Sequence, residues 1–221
     1  MAWIELKPEG AGPIRAWRAD PSGASRGGIV VIQEIFGVNS HVRDVTDRFA
    51  AEGYLAVAPA IFEHIEPNFE VGYDAQARER GFAIMNKVDR EQILRDAAAA
   101  IAVAKEGGKV GIVGFCLGGT VTWSAAGRLP GLSAAVGYYG GGIVGLKDLK
   151  PKVPTLLHFG DKDSHIPVPG VKEVAAAHPD VEVHMYPADH GFNCDQRDSY
   201  DAPSAALAWM RTLAFLRKHV G

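Results

Sequence analysis

The chain has 221 residues, 47% of them hydrophobic and 22% charged, enough apolar material to close one core, which excludes disorder, collagen and coiled coil and leads us to expect a single domain. With 23 basic against 26 acidic side chains the formal net charge is -3, so nucleic acid is not indicated as a partner, and no stretch approaches the roughly 18 apolar residues of a membrane span. Met1–Leu6 carries Glu5 and lacks the basic and apolar regions of a secretory signal, and two cysteines, Cys116 and Cys194, are too few for a disulfide framework, so a reducing, cytoplasmic compartment is expected.

In chain order, the first core strand is Gly28–Gln33 (GIVVIQ), a nearly continuous apolar run of the kind buried on both faces. A helix is predicted over Ser40–Ala51, where Val42, Val45, Phe49 and Ala50 recur at spacings of three and four. Tyr54–Ala58 (YLAVA) reads as a strand ended by Pro59. Residues 59–73 are irregular, and an irregular loop of that length is more often functional than decorative. Helices are predicted over Asp74–Lys87 and Asp89–Lys105, the second with Asp89 as cap and Gln92 at the reciprocal capping-box position. Lys109–Gly114 (KVGIVG) is another buried strand, followed by a helical run to about Gly127. Strands at Ala134–Tyr139, Thr155–Gly160 and Val181–Tyr186 continue the alternation, with a helix over Pro169–His178. The final helix has Asp201 as cap, Pro203 in its first turn and a basic end at Arg217, Lys218 and His219. Strands alternating with helices define an α/β protein.

Gly114-Phe115-Cys116-Leu117-Gly118-Gly119 lies between a buried strand and a helix and fits the nucleophile-elbow pattern, with cysteine in place of serine. Such a nucleophile sits on a strained, sharp turn, and side chains two positions either side would collide with neighbouring backbone. The helix that follows points its positive end at the site, favouring a thiolate and any oxyanion formed there. Two plainer readings compete. A phosphate cradle lacks the Lys and Ser/Thr of a P-loop, and a cysteine serving only as a small buried hydrophobe would need no partners.

Partners are present. Nucleophilic catalysis needs a base and a group to orient it. Downstream of Cys116, Gly160-Asp161-Lys162-Asp163 follows one strand and Ala188-Asp189-His190-Gly191-Phe192 follows the next. Both fall at the sheet edge where α/β proteins gather their chemistry, in the order nucleophile, acid, histidine. Asp163 is preferred to Asp161, which the tight turn is expected to use for local backbone bonds. His165 is a rival base, but it is too near the acid in sequence to bridge to Cys116. His41, His178 and His219 read as surface positions on helices, His184 as alternating within a strand, and His158 as a core group.

With those residues in view, the chain resembles the dienelactone hydrolase (carboxymethylenebutenolidase) family along essentially its whole length. The resemblance rests on Gln33-Glu34-Ile35-Phe36-Gly37-Val38-Asn39, Gly114–Gly119, Gly137-Tyr138-Tyr139-Gly140, Asp163 with Ile166-Pro167, and His190-Gly191-Phe192. It implies an α/β-hydrolase fold, a three-layer sandwich with a mostly parallel central sheet. It also implies Cys116 as nucleophile, His190 as base, Asp163 as orienting carboxylate, and the backbone N–H groups of Ile35 and Leu117 as oxyanion hole. Glu34 would be a carboxylate that contacts the resting thiol and is displaced on substrate binding. Arg78 would bind the substrate carboxylate, with Tyr138 and Arg197 also on the substrate side. No metal or organic cofactor is implied. The partner is a small-molecule substrate, not nucleic acid or membrane, for a monomer or small homo-oligomer.

The sequence departs from the family pattern where a second carboxylate-binding arginine stands four residues after the catalytic histidine: here that position is Cys194. Phe82 and Met85 also replace larger or hydroxyl-bearing aromatics. Cys194 reads as an incidental thiol, a redox pair with Cys116 being the less favoured alternative. The leading expectation is a hydrolase of small anionic enol-lactones or esters acting through a Cys-thioester. A general carboxylesterase or thioesterase and a non-enzymatic ligand-binding or thiol-sensing module are the alternatives.

Overall fold

A computed structural model describes residues 1–221. The chain forms two compact units, Met1–Val110 and Gly111–Gly221. In the first, β1 (Ala2–Leu6) and β2 (Ile14–Ala19) form an antiparallel pair, β2 pairs antiparallel with β4 (Leu55–Pro59), and β4 pairs parallel with β3 (Gly28–Ile32). β3 and β4 are buried along their whole length, as the uninterrupted apolar runs require. α1 (Ser40–Ala51) is capped by Asn39, whose side chain accepts the Val42 N–H, and buries Val42, Val45, Phe49 and Ala50. α2 (Ala75–Met85) is capped by Asp74, and α3 (Arg90–Ala104) packs on β3 and β4. Gly28 is fixed by that packing, because a Cβ there would lie 2.0 Å from the Ala104 carbonyl oxygen.

β5 (Val110–Phe115) leads into the second unit, with α4 (Leu117–Arg128), β6 (Leu132–Tyr138), β7 (Thr155–Gly160), α5 (Val168–Ala177), β8 (Glu182–Tyr186) and α6 (Ala202–His219). The strands lie in the order β5-β6-β7-β8, and β6–β7 and β7–β8 pair parallel. α6 starts as expected, with Asp201 accepting the Ser204 N–H at 2.9 Å. No helix is long and apolar enough to cross a membrane.

Four expectations need correction. β1 and β2 precede the first strand read from sequence; their faces are only partly buried, so neither a period-2 pattern nor a solid apolar run stands out. Asp89 does cap α3, but Gln92 does not close a capping box: its amide donates to Asp96 Oδ1 at 2.8 Å and accepts from Arg95. Asp96 is fully buried, and a desolvated carboxylate competes more strongly for a donor than an exposed backbone does. His41 and His178 are buried rather than on the surface. His178 bonds the Lys147 carbonyl and packs edge-on against Trp123, with ring centroids 5.1 Å apart.

Candidate active site

The bend between β5 and α4 places Cys116 at φ 55°, ψ -113°, a conformation L-residues rarely adopt. Backbone strain of this kind costs on the order of 1–3 kcal/mol and persists only where its surroundings impose it. Here the Cys116 N–H donates to the Tyr138 carbonyl at 3.0 Å, and the Cys116 carbonyl accepts from the Gly119 N–H at 3.0 Å. The flanking glycines make room. A Cβ on Gly114 would stand 2.0 Å from the Gly118 carbonyl oxygen, and one on Gly119 would stand 2.6 Å from the Tyr138 carbonyl oxygen. Gly114→Ala is therefore expected to cost about 1–3 kcal/mol or more in urea denaturation. Gly145→Ala, where a new Cβ meets nothing within 4 Å, is expected to stay within about 0.5 kcal/mol. Equal losses at the two positions would contradict the close approach at the elbow.

Cys116 is half-buried and is the N-cap of α4, whose Leu117 and Gly118 N–H groups precede the first bonds of the helix, those of Gly119 and Thr120 to the Cys116 carbonyl. That helix end is a ready site for negative charge on sulfur or oxygen.

Asp163 sits in the turn beyond β7, its side chain wholly buried. Its Oδ1 accepts the His165 N–H at 2.9 Å, and its Oδ2 lies 2.7 Å from His190 Nδ1. The local backbone bond expected of Asp161 is thus made by Asp163 instead. His190 follows β8, and with Asp163 it forms a carboxylate–imidazole relay on whose pKa Cys116 acts by hydrogen bonding and charge. Burial alone would lower the His190 pKa. The hydrogen bonds and charges of Asp163 and Cys116 outweigh burial and push it up to about 10. Burial likewise raises the Asp163 carboxyl, but the His190 hydrogen bond and charge, with the His165 N–H, hold it below the ordinary carboxylate value.

Two further groups touch the relay. Tyr139 has φ 38° and packs its ring 5.1 Å from that of His190. His165, weighed in the sequence only as a rival base, packs edge-on to His190 at 5.6 Å. The signal for Tyr139 was its place at a strand end, directly before Gly140-Gly141-Gly142. Arg197 is half-buried with its guanidinium against Gly191: a Cβ on that glycine, which has φ 78°, would stand 2.3 Å from Nη1. Leu117, the first residue of α4, is half-buried.

Tyr138 is not on the substrate side. It is fully buried, its hydroxyl lies 2.6 Å from Thr212 Oγ1, and burial above all raises its pKa.

In the first unit, Glu34 and Ile35 follow β3 and are both buried, and Gln33 Nε2 donates to the Glu34 carbonyl at 3.2 Å. Phe36 and Gly37 are tied to the following loop by the Val71 N–H to Phe36 carbonyl bond and a bridge between Gly37 and Glu70. Arg78 is exposed on α2, whereas Arg80 is tied to Glu66 at 2.8 Å and stacks over Phe69. No group of three or more His, Cys, Asp or Glu side chains is placed to hold a metal ion.

A mostly parallel sheet with helices and a nucleophile elbow define an α/β-hydrolase. Comparison with known proteins narrows the class. The Dienelactone hydrolase family model matches residues 14–220. The carboxymethylenebutenolidase of Pseudomonas putida is 37% identical over 201 residues, covering 85% of this chain and 84% of that one. A protein of Synechocystis sp., provisionally named carboxymethylenebutenolidase, is 40% identical over 203 residues, covering 83% and 82% of the two chains. The crystal structure of a Klebsiella pneumoniae protein, provisionally named dienelactone hydrolase, superposes with a TM-score of 0.85 at 34% identity, covering 99% of this chain and 98% of that one. The chain belongs to the dienelactone hydrolase family and is a hydrolase.

Proposed function

We propose that the protein opens small anionic enol-lactones or esters through a thioester on Cys116. The observation that carries this reading is the Asp163–His190 hydrogen bond at the ends of β7 and β8, with Cys116 acting on the His190 pKa from a strained bend after β5 at a helix N-terminus.

With His190 held at a pKa of about 10 the proton already rests on the imidazole, and in the first step the sulfur attacks the carbonyl carbon. The carbonyl π pair moves onto oxygen, where the Leu117 N–H and, by family resemblance, the Ile35 N–H receive it. Losing one such donor typically costs about 10²–10³ in rate. Collapse breaks the ester C–O bond, and the leaving oxygen takes the proton from His190. Sulfur in the thioester is uncharged, so the Cys116 contribution that raises the His190 pKa is removed at that point. His190 is then poised to take a proton from water, whose oxygen attacks the thioester carbon; the C–S bond breaks, sulfur leaves with the bonding pair as thiolate opposite the protonated His190, and the acid is released. Asp163 orients the ring throughout.

Family resemblance gives Glu34 the part of a carboxylate that draws off the thiol proton or swings away when substrate enters. Like charges repel, so it cannot rest as a carboxylate beside a thiolate. Arg78 would hold the substrate carboxylate and Arg197 would assist.

Arg78→Ala tests the anionic preference. For a lactone or ester bearing a carboxylate, kcat/KM is expected to fall about 10- to 100-fold, the worth of a hydrogen-bonded charge. For a neutral aryl ester it is expected to stay within about twofold. Equal losses would favour the general carboxylesterase or thioesterase instead.

A further inference from the structure

Behind the end of β6 runs a chain of hydrogen-bonded polar side chains that the proposed chemistry does not use. The Tyr138 hydroxyl meets Thr212 Oγ1 at 2.6 Å, Thr212 Oγ1 meets His158 Nε2 at 3.0 Å, and His158 Nδ1 meets the Tyr186 hydroxyl at 2.8 Å. The Tyr186 hydroxyl in turn accepts from Arg211 Nη1 at 3.1 Å. Tyr138, His158 and Thr212 are completely buried. Both imidazole nitrogens of His158 have hydroxyl partners whichever tautomer it takes. Burial first, then His184 and Arg211, hold its pKa well below 6.5, so the ring is neutral.

The chain bears on the nucleophile through the end of β6. The Tyr138 carbonyl receives the Cys116 N–H, and the Tyr139 N–H donates to the His158 carbonyl at 2.7 Å. His158 thus holds this strand end by its main chain, by ring packing on Tyr138 and through Thr212. Two residues with positive φ, Cys116 and Tyr139, meet at this place, and both need an external hold to stay there. Thr212 belongs to α6, and its hydroxyl hydrogen-bonds both the Tyr138 hydroxyl and the His158 ring, which also packs on the Tyr138 ring with centroids 4.5 Å apart.

We propose that Thr212 is a positioning residue for the nucleophile: by joining Tyr138 to His158 it fixes the Tyr138 carbonyl against the Cys116 N–H, and so keeps the sulfur aligned with His190. The proposal rests on Cys116 acting as nucleophile.

The test compares Thr212→Val, which deletes the hydroxyl at nearly constant volume, with Thr212→Ser, which keeps it. For Thr212→Val, kcat on a neutral aryl ester is expected to fall about 10- to 100-fold with KM unchanged, the size of loss a remote misplacement can produce. Alkylation of Cys116 by iodoacetamide at mildly acidic pH should slow by a similar factor, and Thr212→Ser should recover most of both. A folded Thr212→Val protein with wild-type kcat and wild-type alkylation would overturn the proposal. Should Thr212→Val not fold, Tyr138→Phe breaks the same link from the other end while keeping the ring, and the same two outcomes decide. Cys116→Ala separates the two claims. If it retains ester turnover, the nucleophile reading has failed. If it is inactive while Thr212→Val and Tyr138→Phe behave as wild type, only the positioning role has failed.

Discussion

Replacing Cys116 by alanine is expected to lower kcat/KM for a small ester by about 10⁴-fold or more, the scale on which removal of a covalent nucleophile acts. The loss is expected to be chemical and not structural. The bend at φ 55° is imposed by Tyr138, Gly114 and Gly119 through backbone contacts that alanine leaves in place. A second, independent change should accompany it. The His190 pKa stands at about 10 partly because of its hydrogen bond and charge interaction with Cys116. Without the sulfur it should fall, since burial then opposes Asp163 alone, and NMR titration of the ring would follow it. Turnover within tenfold of wild type would exclude a thioester route.

Asp163→Asn is expected to lower kcat/KM by about 10³- to 10⁴-fold, with little change in KM. Asp163 Oδ1 accepts the His165 N–H, so the amide oxygen of asparagine would stay on that side and its NH₂ would face His190 Nδ1. That forces Nδ1 to act as acceptor and leaves the ring proton on the nitrogen facing Cys116, the tautomer that cannot take a thiol proton. Stability should change with pH in a defined direction. His190, with its pKa raised from 6.5 to about 10, contributes stability that is full below 6.5 and lost as pH rises through 10. Asp163, lowered from 3.8, contributes stability present above 3.8 and lost as pH falls through its folded value. The gap in urea midpoint between wild type and Asp163→Asn should therefore be widest between those limits and narrow toward both ends. A gap that does not vary with pH would mean that the pair is not charged in the folded protein.

Cys116 and Asp163 were legible in the sequence because each follows a strand buried along its whole length, which reads as an unbroken apolar run. His190, by contrast, follows the partly buried edge strand β8 and was legible from the alternation of elements and the order of the motifs. The glycines around Cys116 were legible for a related reason: close backbone approach leaves no room for another residue. What escaped the sequence was decided by partners far along the chain or by competition for a donor. Tyr138 stands at a strand end with a polar tip and reads as available to a ligand, yet its partner Thr212 lies 74 residues away. Gln92 matches a capping box but is taken by the buried Asp96. The first hairpin was missed because its aromatic and basic residues cover one another at the surface. Arg15 lies 4.4 Å over the Trp3 ring, and Trp3 and Trp17 pack edge to face at 5.5 Å, so those strands show no clean division into apolar and polar positions.

Rapid-quench mass spectrometry with an activated aryl acetate tests the covalent step itself. The wild-type protein should gain one acetyl group during the first turnover, on the peptide that carries Cys116, and Cys116→Ala should gain none. Steady turnover with no adduct at any time, or an acetyl group on a different residue, would contradict a thioester mechanism.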